Sequence, residues 1–525
     1  MLNSKHLWIT ALLLGLSFDI LFWEKTPGIS FSIFIALILL AGILVLAASG
    51  IRPNKRALGL ILPIGFFATM TFLRAEPMTT FLNYSLTFVF LAFFALSYTG
   101  GRWFSYSLSD YIVGFFKLAG SALGSPLGFI NETRKAQKES GIEKKSKSIA
   151  PILRGIMIAL PIVFIFASLL ASADVVFAQR MDNLIQLENM PEYIFRGILI
   201  FIIGYLLLGV FLHAARKSQN EKLIGEEKPL LSPFLGFTES SIVLGSVLLL
   251  FAAFVAIQFQ YFFGGNANIN IEGYTYAQYA RRGFGELVTV ALFSLFLFLG
   301  LSAITRREQK SHRKIFSALG ISLVALVLVM LLSAFYRLNL YETVYGFSRL
   351  RTYPHIFMIW LGALLITVVA LEIFHKERAF ALAMTLAIVG FALTLNLLNV
   401  DSFIVCQNIA RSENANWDLD YAYLADLSDD AVPALAEALE DSTTATRNLV
   451  AVSLACHWYQ NESRLNGKDP RPWQSFHLSH ATASRTYTLL ASKLDGYSAN
   501  DDEWRWQITA PNGTEYDCSD RFTWD

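Results

Sequence analysis

The sequence predicts an all-α integral membrane protein: about eleven transmembrane helices followed by a mainly α-helical C-terminal extramembrane domain. Three observations predict it. Hydrophobic residues make up 54% of the 525 positions and charged residues only 16%, where an ordinary soluble domain carries about 25% charged. Mean hydropathy is +0.47. The apolar residues also gather into about eleven runs close to the ~20 residues a helix needs to cross hydrocarbon.

Those runs are Leu7–Trp23, Ser30–Ser49, Ala57–Leu73, Thr79–Tyr98, Ile149–Ser172, Tyr193–Ala215, Ser240–Phe263, Leu287–Thr305, Ile315–Phe335, Pro354–Phe374 and Ala379–Val400. The first is followed by Glu24 and Lys25 without a small-residue cleavage pattern, so it reads as a signal anchor. Phe104–Ile130 reads differently. It mixes aromatics with Asp110 and Lys117 and carries Gly120, Gly124 and Gly128 at four-residue spacing. This is the pattern of an interfacial amphipathic helix, with the glycines as a candidate close-packing face. A charged linker follows over 131–148.

Lysine and arginine set the orientation. With the N-terminus in the cytoplasm, the cytoplasmic loops hold 23 basic residues and the external loops eight, a positive-inside pattern. Eleven crossings then place the C-terminal domain outside the cytoplasm. The expected location is the inner (cytoplasmic) membrane of a bacterial cell envelope. The expected organisation is 1–100, the first four helices; 101–148, the interfacial helix and basic linker; 149–400, the remaining seven helices; and 401–525, the acidic domain.

Charge supports that last boundary. Of 42 basic and 41 acidic residues, 9 and 20 lie from Asp401 onward, which leaves 33 and 21 before it. Nucleic acid is excluded as a partner of the acidic part, because phosphate would be repelled. In the same part, Ser428 or Asp429 can cap a helix through AVPALAEALE, Thr443 can start another, and Ser475–Leu494 forms a third before the stop signal Asp495-Gly496. Trp504–Thr509 reads as a short strand before the turn Pro511-Asn512-Gly513.

The three cysteines, Cys406, Cys456 and Cys518, all lie in this part. Outside the cytoplasm Cys456 and Cys518 can bridge, and the odd count leaves at least one free thiol. His477 and His480 stand three apart and Cys456 precedes His457, short of the four ligands of a tetrahedral zinc site. No metal and no cofactor is expected.

Phosphate-binding loops, HExxH, GxSxG and CxxC are all missing, which argues against an enzyme. Polar residues concentrate instead in two segments. In GYTYAQYARRGFGEL, Tyr279, Arg282 and Glu286 share one helical face beside Arg281. In YRLNLYETVYGFSRLR, Arg337, Tyr341, Tyr345 and Arg349 recur every four residues, with Asn339, Glu342 and Arg351 close by. Arginine forks pair with phosphate or carboxylate, and tyrosines donate hydrogen bonds or stack on sugars. Tyrosine and arginine also anchor helices at headgroup level, the bland alternative. The site reading joins the two segments and Asp401 in one pocket at the outer surface, with Arg282 or Arg337 paired to Glu286 or Glu342.

Six pieces of the chain carry a resemblance. They are FDILFW before Pro27-Gly28, LLASADVVF, the two Tyr/Arg segments, LNVDSFIVCQNIAR at Leu398–Arg411, and LDYAYLADLSDDAVPAL at Leu419–Leu435. Together they resemble a bacterial multi-pass membrane family, the domain of unknown function 4173. The resemblance implies an integral membrane protein and no activity. All six pieces fall at the outer ends of spans or in the acidic domain, which points to an outer-face site roofed by the start of that domain.

The expected partners are therefore membrane lipids and an envelope ligand: an anionic lipid, a lipid-linked sugar or an envelope polymer. Transport or lipid handling is the first reading. A membrane sensor or assembly scaffold is the second. An envelope enzyme with Glu286, Glu342 or Asp401 as base is the third.

Overall fold

The computed structural model describes residues 4–139, 190–218, 233–263, 284–307, 309–415, 418–465, 471–502 and 505–518, with Leu223 and scattered positions between 159 and 174. Among the described residues, twelve α-helices precede the C-terminal region: α1 (Ser4–Phe22), α2 (Ile29–Ala48), α3 (Lys55–Leu58), α4 (Ile61–Leu73), α5 (Pro77–Ser97), α6 (Leu108–Glu139), α7 (Met190–Arg216), α8 (Phe237–Phe263), α9 (Phe284–Ile304), α10 (Lys310–Tyr345), α11 (Arg349–Ile373) and α12 (Phe380–Leu398). The molecule is an all-α multi-pass membrane protein. Eleven described helices are long and apolar enough to cross a bilayer. Ten of them coincide with predicted spans. The predicted span Ile149–Ser172 lies largely outside the described residues.

The eleventh is Leu108–Thr133 of α6, where the sequence predicts an interfacial helix. Its contacts explain how both descriptions arise. Ser121 meets His213 (2.9 Å) and Lys217 (2.9 Å), while Glu132, eleven residues further on, meets Arg216 (2.7 Å) in the same last turn of α7. The Tyr205 hydroxyl also donates to the Leu123 carbonyl (2.6 Å), and a Cβ at Gly209 would lie 2.3 Å from the Ala122 carbonyl oxygen, so residues 121–123 of α6 meet three turns of α7 and the two helices cross at an angle. The close-packing role expected for Gly120, Gly124 and Gly128 is not seen: among the described residues, nothing lies within 4 Å of a side chain added at any of them.

The chain divides into two units: Met1–Gly59, Ala92–Gly101 and Val113–Glu221 form one, and Leu60–Leu91, Arg102–Ile112 and Lys222–Asp525 the other. In the first unit, α1 and α7 run antiparallel with their backbones in contact. A Cβ at Gly15 would lie 2.2 Å from the Ile200 carbonyl oxygen, and one at Gly204 would lie 2.9 Å from that of Ala11. Such close approach is how helices gain packing energy in lipid, where no hydrophobic drive joins them. One turn further on, the buried Asp19 accepts Arg196 Nε (3.0 Å) and Nη2 (2.6 Å). Glu192 takes the Trp23 indole N–H (2.9 Å) and lies 3.4 Å from Arg196. Asp19, alone among apolar residues in the sequence, is thus neutralised by Arg196.

In the second unit, α8, α9 and α11 all pack on the long α10 around Leu323, Val327, Leu331 and Leu365. Glu372, near the last turn of α11, does not snorkel as its position suggests. It is buried, accepts Ser317 Oγ at 2.6 Å and lies 3.5 Å from Arg307.

The C-terminal region continues from α12 through α13 (Val400–Ala415), α14 (Tyr421–Ala425), α15 (Val432–Asp441), α16 (Thr444–Leu465) and α17 (Leu478–Leu494) to a three-stranded antiparallel meander, β1 (Ser498–Asp502), β2 (Arg505–Thr509) and β3 (Glu515–Asp517). The predicted helices and strand β2 are present; β1 and β3 are additional. Cys456 and Cys518 form a disulfide and Cys406 is free and exposed. The core of this region is not closed on itself. Ile404, Leu424, Leu435 and Val450 share one apolar cluster with Ile356 of α11 and Leu395 of α12. The region is thus built onto the ends of these helices.

Candidate functional site

Helix α10 does not carry its polar stripe through to Arg349. Gly346, with φ +79°, caps it, and α11 starts at Arg349; only glycine adopts that conformation without strain. The four-residue repeat therefore breaks, and Arg349 joins a different set of partners from Arg337, Tyr341 and Tyr345.

Arg349 forms a bidentate pair with Asp401, Nε to Oδ1 at 2.8 Å and Nη2 to Oδ2 at 2.6 Å. Asp401 is fully buried and also accepts the Ser428 backbone N–H (2.8 Å) and hydroxyl (2.6 Å). The Tyr423 hydroxyl accepts the Arg349 N–H (2.8 Å). Beside them, Tyr353 donates its hydroxyl to the buried Glu76, which also takes the Thr79 N–H and caps α5. Asp430 accepts the N–H groups of Ala75 (2.7 Å) and Glu76 (3.1 Å) between α4 and α5. Burial pushes the Asp430 carboxyl above the usual carboxylate range against these bonds. Asn83, in the second turn of α5, and Asn396, in the last turn of α12, exchange side-chain hydrogen bonds at 2.8 and 3.0 Å, both fully buried. Buried charges held this way satisfy one another.

A second arrangement lies at the α10–α11 turn. Arg351 stacks on Tyr341 at 4.4 Å and donates Nη1 to the carbonyls of Tyr345 (2.9 Å) and Gly346 (2.6 Å). Its Nε and Nη2 carry no hydrogen bond among the described residues. Arg411 of α13 donates to the carbonyls of Thr343 (3.1 Å) and Val344 (2.5 Å). Both guanidiniums line a cavity of about 140 Å³ with Tyr345, Ser348, Asn408 and Tyr423; Asp418 and Asp420 stand at it too. Burial, and then the charge of Arg351, lower the Arg411 pKa.

The other predicted residues are placed as follows. Glu286, exposed in the first turn of α9, and half-buried Arg337 line one cavity of about 400 Å³. Glu342 is buried and pairs with His355 (3.0 Å): His355 lies one turn into α11, which packs on α10. Asn339 is exposed and its carbonyl accepts the Thr343 hydroxyl (2.9 Å). Tyr279, Arg281 and Arg282 lie outside the described residues.

Within the C-terminal region, the Tyr487 hydroxyl meets His457 (2.6 Å), His457 lies 3.4 Å from Asp429, and His480 bonds the other oxygen of Asp429. Burial raises the Asp429 pKa, but the His480 hydrogen bond and the two histidine charges bring it below the usual range. Burial pushes His477 down to about 4. Among the described residues no group of three or more His, Cys, Asp or Glu could hold a metal ion.

Glu76, Asn83, Tyr353, Asn396, Asn408, Arg411, Tyr423, Ser428 and Asp430 were not expected as site residues. A signal existed for most of them. Arg349 and Tyr353, Asp401 and Arg411, and Tyr423 and Asp430 lie in or within two residues of three of the pieces that carry the family resemblance, and the fold brings those pieces together.

Fold and site together define a polytopic helical membrane protein with a helical extramembrane region clamped to the ends of its spans. The chain belongs to the family described as "Domain of unknown function (DUF4153)", whose model matches residues 61–438. The match names that family and not 4173, and it runs from α4 into α15, across Glu76, Asn83, Arg349, Tyr353, Asn396, Asp401, Tyr423, Ser428 and Asp430. No curated protein and no solved structure matches the chain.

Proposed function

We propose that this membrane protein recognises a small anionic group at the outer membrane surface, in the pocket between the α10–α11 turn and α13. The observation that carries the reading is the convergence of Arg351 and Arg411 on one polar cavity of about 140 Å³. Two guanidiniums this close repel one another, and an anion between them removes that repulsion. The volume suits a phosphate or carboxylate and its immediate substituents, so the ligand is a lipid headgroup or the anionic end of an envelope molecule. Handling or sensing that ligand fits better than carrying it across the bilayer. The shared core of α11, α12 and the C-terminal region supports a sensor or scaffold, because a ligand at the turn touches both parts. In this reading the protein sits in the bacterial inner membrane with its N-terminus cytoplasmic and the C-terminal region outside.

The test is calorimetric titration of the purified full chain with short-chain phosphatidic acid. Saturable binding that weakens with salt and drops about tenfold in Arg351→Gln and in Arg411→Gln supports the reading. Equal binding by both variants, or none by the wild type, refutes it.

A further inference from the structure

The cavity at Glu286 and Arg337 has a chemistry of its own. It lies between α8, α9 and α10 and is walled by Leu250, Phe251, Phe254, Leu287, Val290 and Met330. Its polar residues are Gln258, Glu286 and Arg337. They are not scattered. Gln258 ends the apolar part of α8, Glu286 opens that of α9, and Arg337 follows the apolar part of α10. Met330 lies seven residues before Arg337 and Leu250 eight before Gln258, so the apolar walls run about 10–12 Å inward from the polar end. Leu250 and Phe254 are exposed, which opens the cavity toward lipid. Ser333 engages the Gln258 side-chain oxygen at 2.6 Å and leaves the amide N–H₂ as a donor.

We propose that this cavity is a phospholipid site: one acyl chain lies along Leu250, Phe254, Val290 and Met330, and the headgroup phosphate meets Arg337 and the Gln258 amide. An apolar channel whose polar end carries a guanidinium and an amide donor, with the exposed Glu286 carboxylate beside them, matches a phospholipid along its length. The polar end matches a phosphate better than a plain alcohol, because a guanidinium pairs with phosphate through charge-assisted bonds. This site shares no residue with the pocket of Arg351 and Arg411, and neither proposal depends on the other.

The experiment uses the full chain in phosphatidylcholine vesicles doped with a phosphatidylglycerol probe that bears a diazirine on one acyl chain. After irradiation, mass spectrometry maps the adducts. The expected result is labelling of the cavity walls about tenfold above that of the lipid-facing Leu44 and Leu62. Val290→Trp, which fills the cavity, should abolish the excess while the other sites stay labelled. Arg337→Gln should remove the preference for this probe over a diazirine diacylglycerol, which lacks the phosphate. Even labelling of all lipid-facing residues in the wild type overturns the proposal without recourse to any variant. Wild-type labelling by the phosphate-free probe as strong as by phosphatidylglycerol overturns it equally.

Discussion

Arg349 and Asp401 are 52 positions apart, yet they meet through two hydrogen bonds of 2.8 and 2.6 Å, with Asp401 fully buried. The pair joins the first residue of α11 to the first turn of α13. It therefore ties the C-terminal region to the membrane helices at one point of known chemistry.

Removing one partner leaves the other charge buried, which costs about 3–5 kcal/mol. Asp401→Asn and Arg349→Gln should each release the C-terminal region, seen as faster proteolysis after α12 and a lower melting temperature. The double variant Arg349→Leu/Asp401→Leu should be less damaged than the sum of the single changes. Simple additivity would mean that the pair contributes nothing beyond its separate side chains.

The glycines give a comparison within the first unit. Gly15→Leu should prevent α1 from seating on α7, because the added Cβ falls 2.2 Å from the Ile200 carbonyl. Gly120→Leu should be tolerated, since nothing described lies within 4 Å. Membrane accumulation of the two variants measures the difference. A normal level of Gly15→Leu would show that the two backbones do not touch.

These results show what the chain reveals of itself before folding. The spans were legible because twenty-residue apolar runs have few alternatives in lipid. The partnership of Asp19 with Arg196 was not, because the two lie 177 positions apart and only antiparallel packing of α1 and α7 brings them together. The Arg337–Arg349 stripe misled for a local reason: four-residue spacing implies a shared face only if the helix continues, and Gly346 ends it. The short strands β1 and β3 escaped notice because Ser498–Asp502 and Glu515–Asp517 are polar, and strand signals rest on apolar alternation. The polar cluster that joins α11 to α13 was half visible, since its motifs were recognisable while their mutual contacts were not.

His477 gives the pH dependence. Its folded pKa is about 4 against about 6.5 unfolded. Between these values the unfolded chain binds the proton and the folded chain does not, so stability falls as pH drops through the window and is complete above it. The side chain is partly exposed, which discounts the loss to about 2 kcal/mol. Melting of the purified protein at pH 7.5 and 4.5 should show this loss, and His477→Gln should reduce it. An unchanged pH profile in that variant would assign the effect elsewhere.

Closure of the Cys456–Cys518 loop, 62 residues apart in sequence, should stabilise the C-terminal region by about 4 kcal/mol through the entropy it removes from the unfolded chain. Cys456→Ser should lower the melting temperature, and unreduced native protein should alkylate at Cys406 alone. Three reactive thiols in the native protein would contradict the bridge.

That disulfide bears on topology. Disulfides persist outside the cytoplasm and are rare within it, and the loop charges lead to the same expectation for the C-terminal region. With the N-terminus in the cytoplasm, both require an odd number of crossings, and that number depends on α6. If α6 lay across the bilayer, the six basic residues between Arg134 and Lys147 would face the side opposite Arg102, against the charge rule. An α6 lying in the interface, as the sequence predicts, would avoid this, because both its flanks would then be on one side. We therefore expect an alkaline phosphatase fused after Asp525 to be active. Single cysteines at Arg102 and Ser140 should both be shielded in intact cells from a reagent that cannot cross the membrane. Labelling of the Ser140 site alone would show that α6 crosses, and an inactive fusion would then follow if Ile149–Ser172 crosses as well.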